Sequence, residues 1–440
     1  MNHKQNIYYI LVYFIINFLI YRCVFRFFKL GLNLPMYAIF LLLFFAYYLF
    51  DTLDFRVNFK FKDFFYNTIL NLIAFSVFYF FKKNMSFYLA FLIYTFVQNI
   101  LSYVLHRYRR KKINVLVVDN GEYLQNIKEI LTNSHNYDFV GYINDEDVTE
   151  GMDYLGSVKG IKGIVKKYGI DGIVFTKNKQ MKEYADLLVS VKLRGLRMID
   201  YFLFLEEFEG KIDTDKIDSV WVLMTDSFNN CGSNLQKRLK RVIDLILSLT
   251  LFIIFLPFTA ITYVMVKCDI GLKYIFTNPM KIIKNPAFFK QKRIGYRGRE
   301  FEMVKFRSMK VHDPSKYSKY ASEHDERITK VGKFIRKTRL DELPQIINVI
   351  NGSMSFVGPR PEWNVLGETY EKEIKNYDLR YAVKPGITGW AQTMYTYGAS
   401  VDDAKIKLGY DLYYVKNQSL ILDIIILFKT TKIVLFGKGM

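Results

Sequence analysis

Arg336-Lys-Thr-Arg-Leu-Asp-Glu-Leu-Pro-Gln345, followed after a short apolar run by Phe356-Val-Gly-Pro-Arg-Pro361, has a composition that a packed core would not need. Three cations lead into the adjacent carboxylates Asp341 and Glu342. Pro344 follows, and proline is tolerated only in the first turn of a helix. A helix is therefore predicted to start near Asp341, with that residue as its N-cap. Leu343, Ile346, Ile347, Val349 and Ile350 give the helix an apolar face, and Asn351-Gly352 stops it. Arg360 is held between two prolines. Taken alone, the carboxylate pair reads as a surface helix cap. Ringed by Arg336, Pro344 and Pro359-Arg360-Pro361, it reads better as a place to hold an anionic substrate beside a nucleophile.

The rest of the chain narrows the substrate. Length suggests about three domains. Apolar residues make up 51% and aromatics 17%, and the net charge is +20. A greasy and basic chain points to an anionic membrane surface or to phosphate-bearing substrates. The basic residues are dispersed and no nucleic-acid motif stands out, so no nucleic-acid partner is expected. Cys23, Cys231 and Cys268 have neither metal-ligand nor disulfide spacing, and the 5 histidines do not cluster. A protein-ligated zinc or haem site is not expected.

Residues 1–112 read as a domain of four membrane spans, Ile7–Tyr21, Pro35–Phe50, Phe64–Phe81 and Met85–Leu105. No small-residue cleavage site follows the first, so a signal peptide fits poorly. The basic cluster His106-Arg-Tyr-Arg-Arg-Lys-Lys112 places that end in the cytoplasm, and four spans put the N-terminus there too. Arg22, Arg26, Lys29 and Lys82-Lys83 argue the other way. No charged residue sits deep in a span, which favours an anchor over a transport path.

Residues 113–200 read as a small open α/β domain, Rossmann-like. Strands are predicted at Ile113–Asp119, Phe139–Ile143 and Gly172–Phe175, and helices at Ile161–Tyr168 and Met181–Leu193. The loop after the first strand, Asp119-Asn-Gly-Glu-Tyr, lacks the Gly-x-Gly-x-x-Gly that lets a pyrophosphate approach the backbone. The domain therefore reads as structural or regulatory. Residues 201–236 read as a connector.

Lys237-Arg-Leu-Lys-Arg241 leads into the apolar run Val242–Val266, which contains Asp244, Ser248 and Pro257. The run is long enough to span, but proline breaks the helical ladder. Basic residues flank both ends, so both belong on the cytoplasmic side. A re-entrant helix that bends at Ser248–Pro257 satisfies both observations. A kinked fifth span would strand the basic remainder outside. From 286 onward the chain reads as a globular, basic module. Lys305 and Arg307 share one face of a predicted strand and join Arg336 and Arg360 as candidate phosphate ligands. Trp390, in Lys384-Pro-Gly-Ile-Thr-Gly-Trp390, looks exposed, able to close over a flat base or to pack in the turn. Leu420–Phe436 suits a helix in the membrane interface.

In this order, Lys240-Arg-x-x-Asp244, Pro257, Lys305-Phe-Arg-Ser-Met309, Asp341-Glu-Leu-Pro-Gln345, Gly358-Pro-Arg-Pro361, Lys384-Pro-Gly-Ile-Thr-Gly389, Tyr410-Asp-Leu-Tyr-Tyr414 and Ser419-x-x-x-Asp423 are similar to the polyprenyl-phosphate glycosyl-1-phosphate transferases, the bacterial sugar transferase family. The likeness is strong over 237–440, and the N-terminal half resembles the family's long form more loosely. It implies a monotopic catalytic module, entering the cytoplasmic leaflet of a bacterial inner membrane by a re-entrant helix at 242–266. It also implies transfer of a sugar-1-phosphate from a UDP-sugar to undecaprenyl phosphate, with release of UMP, as the priming step of a surface polysaccharide or glycoconjugate. By motif position, Asp341 would be the nucleophile of a phosphosugar–aspartate intermediate. Glu342 would help hold Mg²⁺. Lys305, Arg307, Arg336 and Arg360 would surround the phosphates, with Asp423 a further participant. Membrane lipids are expected partners, and a homodimer is left open.

The chemistry is coherent. A carboxylate can attack phosphorus only where cations offset the repulsion from a diphosphate, and those cations should also favour ionised Asp341. Two in-line steps let one small site serve two bulky anions in turn. A membrane-anchored nucleotide-sugar dehydratase or epimerase would need a glycine-rich nucleotide loop and a Tyr-x-x-x-Lys pair in the last half, and neither is present. An inactive scaffold would tolerate a damaged Asp-Glu pair, and the pair is intact. Two departures from the family stand out. Arg339 occupies a place where a small polar residue is usual, and Phe255-Leu256 precedes Pro257 where a Ser-Pro pair is common.

Overall fold

The computed structural model describes residues 3–30, 34–50, 52–53, 61–82, 85–107, 112–118, 123–133, 137–145, 152–176, 184–214, 234–271, 274–310, 327–395, 398 and 400–436. It divides into two compact units, Met1–Gly210 and Lys211–Met440. The first unit begins with helices α1 (His3–Phe27), α2 (Leu34–Leu49), α3 (Phe61–Lys82) and α4 (Ser86–Arg107). Three helices among the described residues are long and apolar enough to cross a membrane: Tyr8–Phe27, Ser86–Arg107 and Asn234–Cys268. At 16 residues α2 is short for a span, and α3 starts with Asp63 in its first turn.

The bundle turns Leu11, Ile15, Leu41, Leu42 and Phe96 outward, while Tyr21, Phe25, Phe40 and Phe75 fill its interior. A polar network runs through the same interior. Asn71 accepts from Tyr47 and donates to Thr95 (3.1 Å) and Gln98 (3.2 Å). Tyr94 donates to Asn17 at 2.9 Å, Asn67 to Asn99 at 3.2 Å, and Gln98 to Tyr13. Each amide lies in an apolar run and pairs with a different helix. In lipid such pairs stand in for a hydrophobic drive that helices there lack.

The α/β domain follows, with strands β1 (Ile113–Val118), β2 (Tyr137–Ile143), β3 (Tyr154–Gly156), β4 (Gly172–Phe175) and β5 (Arg197–Asp200). The sheet is parallel throughout, in the order β3-β2-β1-β4-β5. Alternation along β1 sends Val115 and Val117 to a core with helix α5 (Leu124–Asn133), and Leu116 and Val118 to one with α6 (Ile161–Tyr168) and α7 (Ala185–Lys192). The domain does not end at 200. Helix α8 (Tyr201–Phe208), capped by Asp200, buries Tyr201, Phe204 and Leu205 in the first of these cores. The glycine-poor loop at 119–122 and the connector over 215–233 lie outside the described residues.

The second unit opens with α9, Asn234–Cys268, one helix of 35 residues with Pro257 inside it. A hairpin of β6 (Phe288–Ile294) and β7 (Glu300–Phe306) follows, then α10 (Lys330–Lys337), α11 (Gln345–Ile350), β8 (Ser355–Val357) and α12 (Asn364–Glu373). β9 (Gly386–Thr388) pairs parallel with β8 and leads into α13 (Trp390–Met394), α14 (Val401–Lys416) and α15 (Leu420–Phe436). The β8–β9 crossing needs glycine: a Cβ on Gly358 would lie 2.9 Å from the Gly386 nitrogen. Trp390 is buried, not exposed. It stacks on Tyr413 at 5.6 Å with Lys429 over its ring, so the packed-turn reading holds. α15 buries Leu422, Asp423 and Ile426 and exposes Ile421, Ile424 and Val434.

Both ends of α9 are seated in this unit. Near its start, Arg241 donates to the Val349 and Ile350 carbonyls at 2.6 and 2.7 Å, and Asp244 accepts from the Phe356 N–H at 3.2 Å. Near its end, Val266 packs with Ala287, Phe306 and Ile335, while Asn285 Nδ2 donates to the Val266 and Lys267 carbonyls. Between them Leu249, Ile253, Ile254, Leu256, Phe258 and Ile261 are exposed. Ser248 is fully buried, and its hydroxyl has no hydrogen-bond partner.

Candidate active site

The carboxylate pair does not cap a helix. Asp341 and Glu342 belong to a 3₁₀ turn, Leu340–Glu342, entered through Arg339 in a left-handed conformation (φ 58°, ψ 14°). Pro344 then starts α11. The tight turn sends the two adjacent carboxyls into different surroundings. β7 supplies Lys305, whose Nζ lies 3.1 Å from Glu342 Oε1. The loop after β8 supplies Arg360, with Nη2 at 3.3 Å from the same oxygen, and Arg339 stands 4.0 Å away. Burial alone would raise the Glu342 pKa, but Lys305, Arg360 and Arg339 together bring it down to about 2. Burial lowers the Lys305 pKa, against the pull of Glu342.

Asp341 is buried, and its Oδ1 has no hydrogen-bond partner. Burial pushes its pKa up, and the charge of Glu342 adds to that. Lys305, Arg336 and Arg339 oppose the rise without cancelling it. The expectation that the cations would favour ionised Asp341 therefore fails in net direction: desolvation outweighs them. Arg336 acts on Asp341 through its charge, and its Nη1 is buried without a hydrogen-bond partner. The turn thus sets a firmly ionised, clamped carboxylate next to a buried one with an open oxygen.

Two candidate phosphate ligands lie elsewhere. β7 ends at Phe306, so the strand alternation does not reach Arg307. Arg307 donates instead to Asn285 Oδ1 at 2.7 Å. Asp423 pairs with Lys240 at 2.6 Å and accepts from the Tyr414 hydroxyl at 2.7 Å. Burial raises the Asp423 pKa, with Lys240 opposing. Other residues that hold the site were not singled out from sequence. Asn348 on α11 accepts from the Val304 N–H at 3.1 Å and donates to the Glu302 carbonyl at 2.8 Å, fixing β7 against the carboxylate turn. Arg380, almost fully buried and paired with Asp411 at 2.7 Å, donates to the Arg360 carbonyl at 2.9 Å. Arg293 donates to the Pro361 carbonyl at 3.0 Å. Nothing in the spacing of these three announces a role.

A magnesium ion beside Glu342 would have to use its other carboxylate oxygen, Oε2, and the open Asp341 Oδ1. One or two carboxylates are what such an ion takes from a protein beside substrate phosphates. Oε1 already faces three cations, and a metal there would be a fourth. No group of three or more His, Cys, Asp or Glu side chains suited to a metal occurs among the described residues.

The bacterial sugar transferase family model matches residues 235–437. Residues 235–437 belong to that family. The transferase module carries the likeness to curated relatives. Over 201 residues the chain is 40% identical to a UDP-N-acetylgalactosamine-undecaprenyl-phosphate N-acetylgalactosaminephosphotransferase of Aeromonas hydrophila, covering 46% of this chain and 44% of the relative. It is 50% identical over 156 residues to a UDP-glucose:undecaprenyl-phosphate glucose-1-phosphate transferase of Xanthomonas campestris pv. campestris, covering 35% and 32%. A protein of the same description from Klebsiella pneumoniae is 32% identical over 283 residues, covering 63% and 57%. The chain therefore spans between 32% and 57% of the length of these relatives. Their descriptions differ in the sugar, so the shared module does not fix which sugar is carried.

Proposed function

We propose that this chain transfers a sugar-1-phosphate from a UDP-sugar to undecaprenyl phosphate through a covalent intermediate on Asp341. The observation that carries the reading is the pairing of a buried carboxylate oxygen without a partner, on Asp341, with a Glu342 clamped by Lys305 and Arg360. In the first step an Asp341 oxygen attacks the sugar-bearing phosphorus of the donor. The new bond is carboxylate oxygen to phosphorus, and the bond that breaks is phosphorus to the oxygen that leaves with UMP. In the second step an oxygen of the lipid phosphate attacks the same phosphorus, and the aspartyl bond breaks. No proton need be removed from either nucleophile. Lys305, Arg336 and Arg360 oppose the build-up of charge on the transferring phosphoryl group.

The same proposal places the module on the cytoplasmic face of a bacterial inner membrane, with α9 as a re-entrant helix bent near Ser248–Pro257. Support comes from the exposed apolar stretch Leu249–Ile261 lying between two ends that both pack on one globular unit. Basic residues at both ends fit the same side of the membrane.

The test is to combine the purified full chain, undecaprenyl phosphate and a panel of UDP-sugars, and to measure UMP. One sugar should give turnover, and Asp341→Asn should abolish it. Unchanged turnover in that variant would remove Asp341 as the nucleophile. Reporter tags at Met1 and Met440 should report the same side, and opposite sides would refute the hairpin.

A further inference from the structure

The carboxylate turn runs on into α11 without a break. The Leu343 N–H donates to the Leu340 carbonyl, that of Ile346 to Leu343 and that of Ile347 to Pro344. One helical run therefore carries Asp341, Gln345 and Asn348, and their spacing of four and then three residues puts them on one face. All three are buried, at 9%, 2% and 2% exposed, whereas Ile347 points the other way at 49%. The buried face packs on β7. Asn348 spends its amide on the fold, with bonds to the Val304 N–H, the Glu302 carbonyl and the Ser353 hydroxyl. Gln345, between Asn348 and Asp341, does not: its side-chain nitrogen is buried with no hydrogen-bond partner.

A buried donor left without an acceptor destabilises a fold, so a group that persists in this state has a use outside the fold. Asp341 Oδ1, one turn away, is a second buried atom of the same face without a partner, and Arg336 Nη1 is a further unpartnered donor close in sequence. A phosphoryl group joined to Asp341 brings non-bridging oxygens to this place, each an acceptor in need of donors. We propose that Gln345 is a further catalytic residue, whose side-chain amide donates to a non-bridging phosphoryl oxygen as the group passes to and from Asp341. The amide carries no charge and changes no proton. Its donor is held in position before the substrate arrives, the arrangement that stabilises charge developing in a transition state. The proposal rests on the reading of Asp341 as the nucleophile.

The test is Gln345→Met and Gln345→Leu in the purified full chain, two apolar shapes that remove the amide. Removing a buried donor that has no partner should leave the unfolding midpoint at or above that of wild type. UMP release from the UDP-sugar that turns over should fall at least about tenfold in kcat, as loss of one donor to a transition state does. KM for the sugar nucleotide should change little, the mark of a contact made in the transition state. With lipid phosphate left out, wild type should release a single burst of UMP, and the variants should release it more slowly. A midpoint clearly below wild type in both variants would show the amide to be held within the fold, by a buried water for instance, and would overturn the proposal. So would a kcat within twofold of wild type, or a loss confined to KM. A wild type that turns over without a burst, or gives no UMP with any UDP-sugar, would bring down the Asp341 reading, and this proposal with it.

Discussion

Asp423→Asn separates two roles that one residue could have. A substrate ligand would be needed for turnover, whereas the structure gives Asp423 a buried partner in Lys240, with side chains 10% and 15% exposed. Removing one member of such a pair leaves an uncompensated buried charge, which costs about 3–5 kcal/mol. For a unit of roughly 200 residues this is on the order of 10 °C in the unfolding midpoint. Asparagine can still accept from Tyr414, so the loss isolates the charge. Lys240→Met should destabilise by less, because the remaining carboxyl can take up a proton. The double variant should recover most of the loss, since it buries no ion. The assay is a thermal melt of the purified full chain for the four members of the cycle, with UMP release measured well below each midpoint. Recovery of both midpoint and turnover in the double variant supports a structural bridge between α9 and α15. A double variant that melts like wild type yet makes no UMP would return Asp423 to the substrate.

The pH dependence tests the environment of Asp341. Attack needs the ionised form, and burial together with Glu342 raises its pKa above the ordinary 3.8, so UMP release should fall as pH drops through that raised value. Glu342→Gln removes the like charge and should shift this acid limb to lower pH in whatever activity remains; an unmoved or raised limb would refute the coupling. In the bundle, Asn71→Leu removes bonds to Tyr47, Thr95 and Gln98. At about 0.6 kcal/mol for each bond in a membrane interior, unfolding in mixed micelles should show a loss near 2 kcal/mol, and no measurable loss would mean the network does not hold the helices together.

The parts of the site that were legible in the sequence are those whose chemistry is local. Asp341, Glu342 and Arg360 stand in short motifs, and Lys305 lies on a strand whose alternation is plain. What escaped depends on partners distant in the chain or on where an element stops. Lys240 and Asp423 are 183 positions apart, so no spacing rule could join them, and Asp423 read as a phosphate ligand by motif position alone. Arg307 looked like a companion of Lys305 because period two was carried one residue beyond the end of β7. Trp390 looked exposed because Pro and Gly surround it, yet tertiary packing against α14 decides its burial. The amides of the bundle were invisible for another reason. Averaging hydropathy along a span hides single polar side chains, and only the third dimension shows that they meet.

The positions of Arg307 and Arg241 alter what α9 does. Each segment that carries a site residue is tied to that helix by a polar side chain. Lys305 lies two residues before Arg307, which bonds Asn285, which in turn holds the Val266 and Lys267 carbonyls. The carboxylate turn leads into α11, whose last carbonyls are capped by Arg241. Arg360 lies four residues after Phe356, whose N–H is held by Asp244. The membrane helix is therefore the common frame for the three segments that converge on Glu342, and not only an anchor for them. A change of depth or bend in α9 would act on Lys305 through one end and on the carboxylates and Arg360 through the other. The family match begins at residue 235, ahead of the apolar run rather than after it, and so takes in Arg241 and Asp244, the side chains that tie the start of α9 to α11 and to β8.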